Sequence, residues 1–178
     1  MTHETETEIE VDAALPTVRI LREFDASPDR VYRAHVDPDL FVRWIGLPDM
    51  ETRVEHWDAR TGGSWRYVAT LGEFSATFWG CFHELRENEL VVQTQTYDGT
   101  PDRVSLDRLI IEEIGSDRTR IVVTSLHESF EDRDALVASG MEHGLRAGHA
   151  KLDELLAAWP DPSPPRISPD QRRRSTHP

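Results

Sequence analysis

Apolar and polar positions alternate through Val18-Arg19-Ile20-Leu21-Arg22-Glu23-Phe24, the pattern of a half-buried strand. Ser27-Pro28-Asp29 follows as a helix start, with serine at the cap and proline at the first helical position. That helix, Asp29–Val36, should stop at Asp37-Pro38, and a second short helix is predicted over Pro38–Trp44. Strand-like runs then fill Met50–Trp57, Ser64–Leu71, Phe74–Arg86, Leu90–Tyr97, Arg103–Ile114 and Arg118–His127. Turn-formers separate several of them: Gly62-Gly63, Glu87-Asn88-Glu89, Asp98-Gly99-Thr100-Pro101-Asp102 and Gly115-Ser116-Asp117. From Glu131 to Trp159 the spacing becomes helical. Val137, Met141, Leu145, Gly148, Leu152 and Leu155 mark the apolar face of one long predicted helix.

This order describes an α+β chain with an antiparallel sheet. A single long helix has to cover a long sheet, and a curved sheet wrapped round one helix leaves a gap. The helix carries a second sign of that gap. Gly140, Gly144 and Gly148 recur at steps of four, so they share one face. Each glycine costs a helix interior about 1 kcal/mol relative to alanine. An apolar face that lacks side chains either admits another backbone or leaves volume beneath it.

Charge narrows the partners. The chain of 178 residues has a net charge of −13. Glu4, Glu6, Glu8, Glu10 and Asp12 make residues 1–16 an acidic arm that reads as disordered. Residues 160–178, rich in proline with Arg166, Arg172, Arg173 and Arg174, read as a flexible tail. The folded domain is then 17–159. So acidic a chain argues against nucleic-acid and anionic-membrane binding, because phosphate would be repelled. No apolar run is long enough to span a membrane. A lone cysteine, Cys81, excludes an internal disulfide. With no apolar leader at the acidic N-terminus, that points to the cytoplasm.

Several motifs, in order, resemble the START-like (SRPBCC) superfamily, in its Hsp90-ATPase-activator-homologue-like branch. They are Phe24-Asp25-Ala26-Ser27-Pro28 with Val31-Tyr32-Arg33-Ala34, Asp37-Pro38-Asp39-Leu40 with Trp44, and Gly62-Gly63-Ser64-Trp65-Arg66-Tyr67. Gly80-Cys81-Phe82-His83-Glu84-Leu85, Ser139-Gly140-Met141-Glu142 with Gly144, and Lys151-Leu152-Asp153-Glu154-Leu155-Leu156 complete the set. The resemblance covers about residues 17–157. It implies a helix-grip fold, in which a seven-stranded antiparallel sheet curls round the C-terminal helix. It also implies a cleft that binds apolar ligands in many relatives. It carries over no universal catalytic motif.

The residues themselves place Trp65 and Tyr67 on one side of their strand, and Phe78 and Phe82 on one face of the next. With Trp44, Trp57 and the helix residues Gly140, Met141, Gly144 and Gly148, they form the predicted lining of a cleft for a flat apolar molecule. His127, near a strand end, is the preferred polar anchor; Arg66 is another, while Glu142 and His143 read as surface groups. His83-Glu84 does not extend to His-Glu-x-x-His, since residue 87 is Glu87, and the remaining histidines show no metal spacing. Cys81 reads as a buried structural thiol. Neither a nucleophile elbow nor a phosphate-binding glycine loop occurs.

No catalytic residue, metal or cofactor is therefore assigned. The leading expectation is a binding protein for a hydrophobic or aromatic small molecule. One alternative is a cyclase/dehydratase- or hydrolase-type enzyme using the same cavity, which requires a buried acid or base facing the cleft. The other is an Hsp90 co-chaperone-like module. The macromolecular partners that remain open are a second copy of the chain and a chaperone.

Overall fold

The computed structural model describes residues 6–159. The elements run β1 (Glu8–Val11), β2 (Thr17–Phe24), α1 (Pro28–Val36), α2 (Pro38–Trp44), β3 (Glu51–Trp57), β4 (Ser64–Leu71), β5 (Phe74–Arg86) and β6 (Leu90–Tyr97). They end with β7 (Ser105–Gly115), β8 (Arg118–Leu126), α3 (Phe130–Ala138) and α4 (Met141–Ala158). All described strands join one antiparallel sheet in the order β1-β2-β8-β7-β6-β5-β4-β3. This is the curved sheet and C-terminal helix of a helix-grip fold.

Two expectations need correction. First, part of the acidic arm is structured. Glu8–Val11 pairs with Val18–Leu21 and adds an eighth strand at the sheet edge. Just before it, Thr7 is buried and its Oγ1 lies 2.9 Å from His149 Nδ1 on α4. Composition hid this, because the glutamates face outward while one threonine reaches a buried partner. Residues 1–5 and the tail 160–178 lie outside the described residues.

Second, the predicted helix from Glu131 to Trp159 is two helices. The chain leaves α3 at Ser139 and passes through Gly140 at φ 85°, a left-handed conformation that favours glycine, before α4 begins. Gly140 is thus a helix junction, not an interior residue of one helix. Each flanking helix has its own start. Ser129 Oγ accepts the Asp132 amide at 3.1 Å to cap α3. The apolar spacing stays nearly in phase across the junction, which is why periodicity alone joined the two.

The short helices are tied down by indoles. Trp44 Nε1 donates to Ala34 O and Trp57 Nε1 to Val36 O, each at 2.8 Å. Both acceptors are carbonyls at the C-terminal end of α1, which lack helical partners. At the N-terminus of α2, Asp37 accepts the Asp39 amide at 3.0 Å. By contrast, Ser27 occupies the cap position of α1 but its side chain makes no cap bond.

The sheet bends where its pairing breaks. Register shifts occur between Val54 and His56 in β3 and between Phe82 and Glu84 in β5. At Gly80 a β-carbon would lie 1.8 Å from Thr94 O, so only glycine permits the strands to approach this closely. The core sits in the resulting concavity: Phe24, Trp65, Tyr67, Phe82, Val91, Leu109, Ile111 and Ile121 from the sheet meet Leu152, Leu155 and Leu156 from α4.

Candidate functional site

Side chains on a strand alternate between faces, so the concave surface can be read row by row across the sheet. One row is Ile20, Val123, Leu109, Val91 and Leu85, and it is wholly aliphatic. The next row is Val18, Ser125, Asp107, Gln93 and Phe82. Beyond it Ser105 pairs with Gln95. The concave face therefore changes from hydrocarbon to a polar patch within a single row.

The patch has internal structure. Ser125 Oγ donates to Asp107 Oδ1 at 2.6 Å. Its one proton is then committed, so the 3.3 Å contact with His127 has Nε2–H donating to Ser125 Oγ. Burial raises the Asp107 carboxyl above the usual carboxylate range, and the Ser125 and Ser105 hydroxyls offset part of that. Asp107 nevertheless keeps some exposed surface. Burial also lowers the His127 imidazole, with Arg133 adding to the effect, so the ring is neutral at pH 7. Burial raises the Tyr67 phenol, and the negative Asp107 adds to it.

The first turns of α4 are thin. The N-terminal half of α4 presents Met141, Gly144 and Leu145, all only partly buried. A β-carbon at Gly144 would meet no atom within 4 Å. From Gly148 onward the helix is sealed. Gly148, His149, Leu152, Leu155 and Leu156 are buried, and a β-carbon at Gly148 would sit 3.3 Å from Trp44 O. The glycine ladder thus has three different environments: a left-handed junction, open space and a close backbone contact.

The predicted lining residues separate accordingly. His127 joins the polar patch through Ser125, and Phe82 flanks it through its pairing with Gln93, whereas Met141 and Gly144 are partly exposed on the first turns of α4. Trp65, Tyr67 and Phe78 form a stacked ladder that continues to Tyr97, with ring centroids 5.7, 5.2 and 5.4 Å apart. Trp65 and Tyr67 are buried in the core, whereas Phe78 and Tyr97 are partly exposed. The Trp65 Nε1 is buried and finds no acceptor among the described residues. Trp44 and Trp57 pack with Phe41 and turn their indole nitrogens to α1. Gly148 belongs to the sealed end and Gly140 to the junction.

Other expectations change. Arg66 is exposed, paired to Glu55 at 2.9 Å and lying over Trp79, so it is no anchor in the cleft. Cys81 is exposed, not buried. Glu142 and His143 are exposed, with Glu142 accepting from Arg146 at 2.9 Å. Among the described residues no three His, Cys, Asp or Glu side chains converge as metal ligands.

The site residues that escaped notice are Asp107, Ser125, Ser105, Gln93 and Gln95. Parity offered a signal for two of them: Ser105 and Asp107 share the face of Leu109 and Ile111, so a carboxyl on an apolar face is visible in β7 alone. That they meet Ser125 and Gln93 depends on strand register. Two open recesses lie elsewhere. One, of about 600 Å³, is lined by Val42, Met50 and Thr52 with neighbouring residues of β3–β5, and one of about 180 Å³ lies beside Glu6, Arg22 and Arg120.

The whole arrangement can be set beside known proteins. The family model described as Activator of Hsp90 ATPase homolog 1-like protein matches residues 25–157. The chain belongs to that family. Solved structures agree in fold. A protein of Rhodobacter sphaeroides is 22% identical, with a TM-score of 0.79 over 86% of this chain and 100% of its own. One from Mycobacterium smegmatis is 22% identical, with 0.78 over 87% and 99%. A third, from Arthrobacter aurescens, is 23% identical, with 0.77 over 90% and 97%. None of the curated proteins matches this chain. As a family member with these neighbours, the chain has an SRPBCC fold. No helix among the described residues is long and apolar enough to cross a membrane.

Proposed function

We propose that this chain is a cytoplasmic binding protein for a small, largely apolar molecule, held between the concave sheet and the N-terminal half of α4. One observation carries the reading: Gln93, Asp107 and Ser125 stand in register on the concave face directly beside a wholly aliphatic row, and each keeps some exposed surface. Polar groups on an inward face are costly without partners, and a few of them beside aromatic surface are what fix a ligand's orientation. The half-exposed Phe78 and Tyr97 supply that surface. Titration of the labelled protein with a library of apolar metabolites, followed by amide NMR, tests the reading. Binding should shift Gln93, Ser125, His127 and Gly144 together. Compounds that move only the convex face would sink it.

The same patch favours a second reading. Asp107, Ser125 and His127 form a proton-linked chain in which the acid is raised and the base lowered by burial. An enzyme of the cyclase/dehydratase type needs such a pair facing its cleft. Turnover of a bound compound, abolished in Asp107→Asn, would favour this reading over simple binding.

A further inference from the structure

The cleft reading leaves open what chemistry the cleft selects, and the inference below rests on that reading. The groups facing Asp107 come from four strands. Gln93 and Gln95 lie on β6, Ser105 on β7, Ser125 on β8 with His127 just after it, and Tyr67 on β4. On helix α4, Glu142, His143 and Arg146 are exposed or partly exposed, and Arg146 pairs with Glu142 and Glu6. No cation faces the carboxyl among these groups.

Arg133 on α3 is the nearest candidate through its effect on His127, and it is engaged. Its guanidinium donates to the carbonyls of Asp12 and Leu15 and to the Asp134 carboxylate, and it stands over the Phe130 ring. Asp107 thus occupies a low-dielectric site with two hydroxyl groups for company and no counter-charge. A carboxylate in that position is unfavourable until a positive group or strong donor joins it. Alongside runs the Tyr67–Phe78–Tyr97 ladder, whose ring faces attract cations. Anions meet the opposite: a buried carboxyl, a neutral imidazole and a strongly acidic protein.

We propose that the cleft takes an organic amine, with its basic nitrogen donating to the Asp107 carboxylate and its apolar body against Phe78 and Tyr97, and that it rejects carboxylates and phosphates. An ammonium beside Asp107 stabilises the ionised carboxylate, so binding draws a proton off Asp107 whenever the free protein holds it protonated. The proton passes to solvent, and amine binding strengthens as pH rises through the Asp107 titration.

The full chain should be titrated by calorimetry and amide NMR with 1-naphthylmethylamine, 1-naphthylmethanol and 1-naphthylacetate, which share a body and differ in charge. The amine should bind at least about tenfold more tightly than the alcohol, and the carboxylate least. In Asp107→Asn the amine-to-alcohol ratio should fall to about one. Should that variant fail to fold, the pH dependence of the ratio in the wild type decides instead: it should rise with pH, and a flat ratio overturns the inference. Carboxylate binding equal to the amine's, with shifts at Ser125 and Gly144, also overturns it while leaving the cleft intact. If none of the three binds in the cleft, the cleft reading fails and the inference with it.

Discussion

The two ends of α4 are buried to very different degrees. The C-terminal half sets Leu152, fully buried, with Leu155 and Leu156 into a core that includes Phe24, Ile111 and Ile121. Charges at this end are paired: Arg22 donates to Asp153, and Arg30 donates to the carbonyls of Leu156 and Trp159. The N-terminal end begins with Met141, Gly144 and Leu145, all partly exposed, and a β-carbon at Gly144 would meet no atom within 4 Å. A single covering helix is thus sealed at one end and only partly buried at the other.

The sharpest way to break the contrast is acid. Burial first, then the nearby positive groups, lowers His149 to about 3, against an ordinary 6.5. Unfolding lets the ring take a proton at its ordinary value, so this stability is whole above pH 6.5 and is lost as pH falls toward 3. The loss should reach at most about 5 kcal/mol, and acid-unfolding curves should be shallower in His149→Gln. Equal curves would mean that the C-terminal end is not sealed.

Next come two substitutions on one helix face. Leu152→Ala should cost about 2–5 kcal/mol in urea unfolding, whereas Met141→Ala should cost under about 1 kcal/mol because it opens little new cavity. Similar losses at both sites would erase the distinction. The glycines give a finer version. Gly148→Val should cost about 1–3 kcal/mol by driving its side chain against the Trp44 carbonyl. Gly144→Ala should instead gain about 0.5–1 kcal/mol, as a helical glycine with room around it. The smallest effect concerns Asp107. Its carboxyl is raised by burial, so the fold favours the protonated form and loses stability as pH rises through the raised value. Asp107→Asn should therefore raise Tm at pH 7 by about 2–4 °C, and the gain should vanish in acid. A lower Tm at pH 7 would show that the carboxylate is well supported in the free protein.

Local chemistry made the elements readable. Short helix α2 and strands β4, β5 and β6 run between the residues that alternation and turn-formers mark, because proline, glycine and the period of the pattern act within a few residues. The same local signals missed β1, whose outward glutamates resemble those of an unfolded arm, and they missed the break at Gly140, where helical spacing persists through a left-handed residue. His127 was legible as a polar residue at a strand end.

The rest of the site was not, and the reason is register. Asp107 and Ser125 sit eighteen residues apart and become neighbours only through the β7–β8 pairing. Gln93 joins them through its pairing with Asp107 across β6 and β7. What the sequence determined alone was the order and kind of elements, the acidic charge and the presence of an apolar helix face carrying glycines. Tertiary structure decided which glycine touches backbone, which faces open space and which polar side chains share a row, because those outcomes depend on distances between segments that no local pattern encodes.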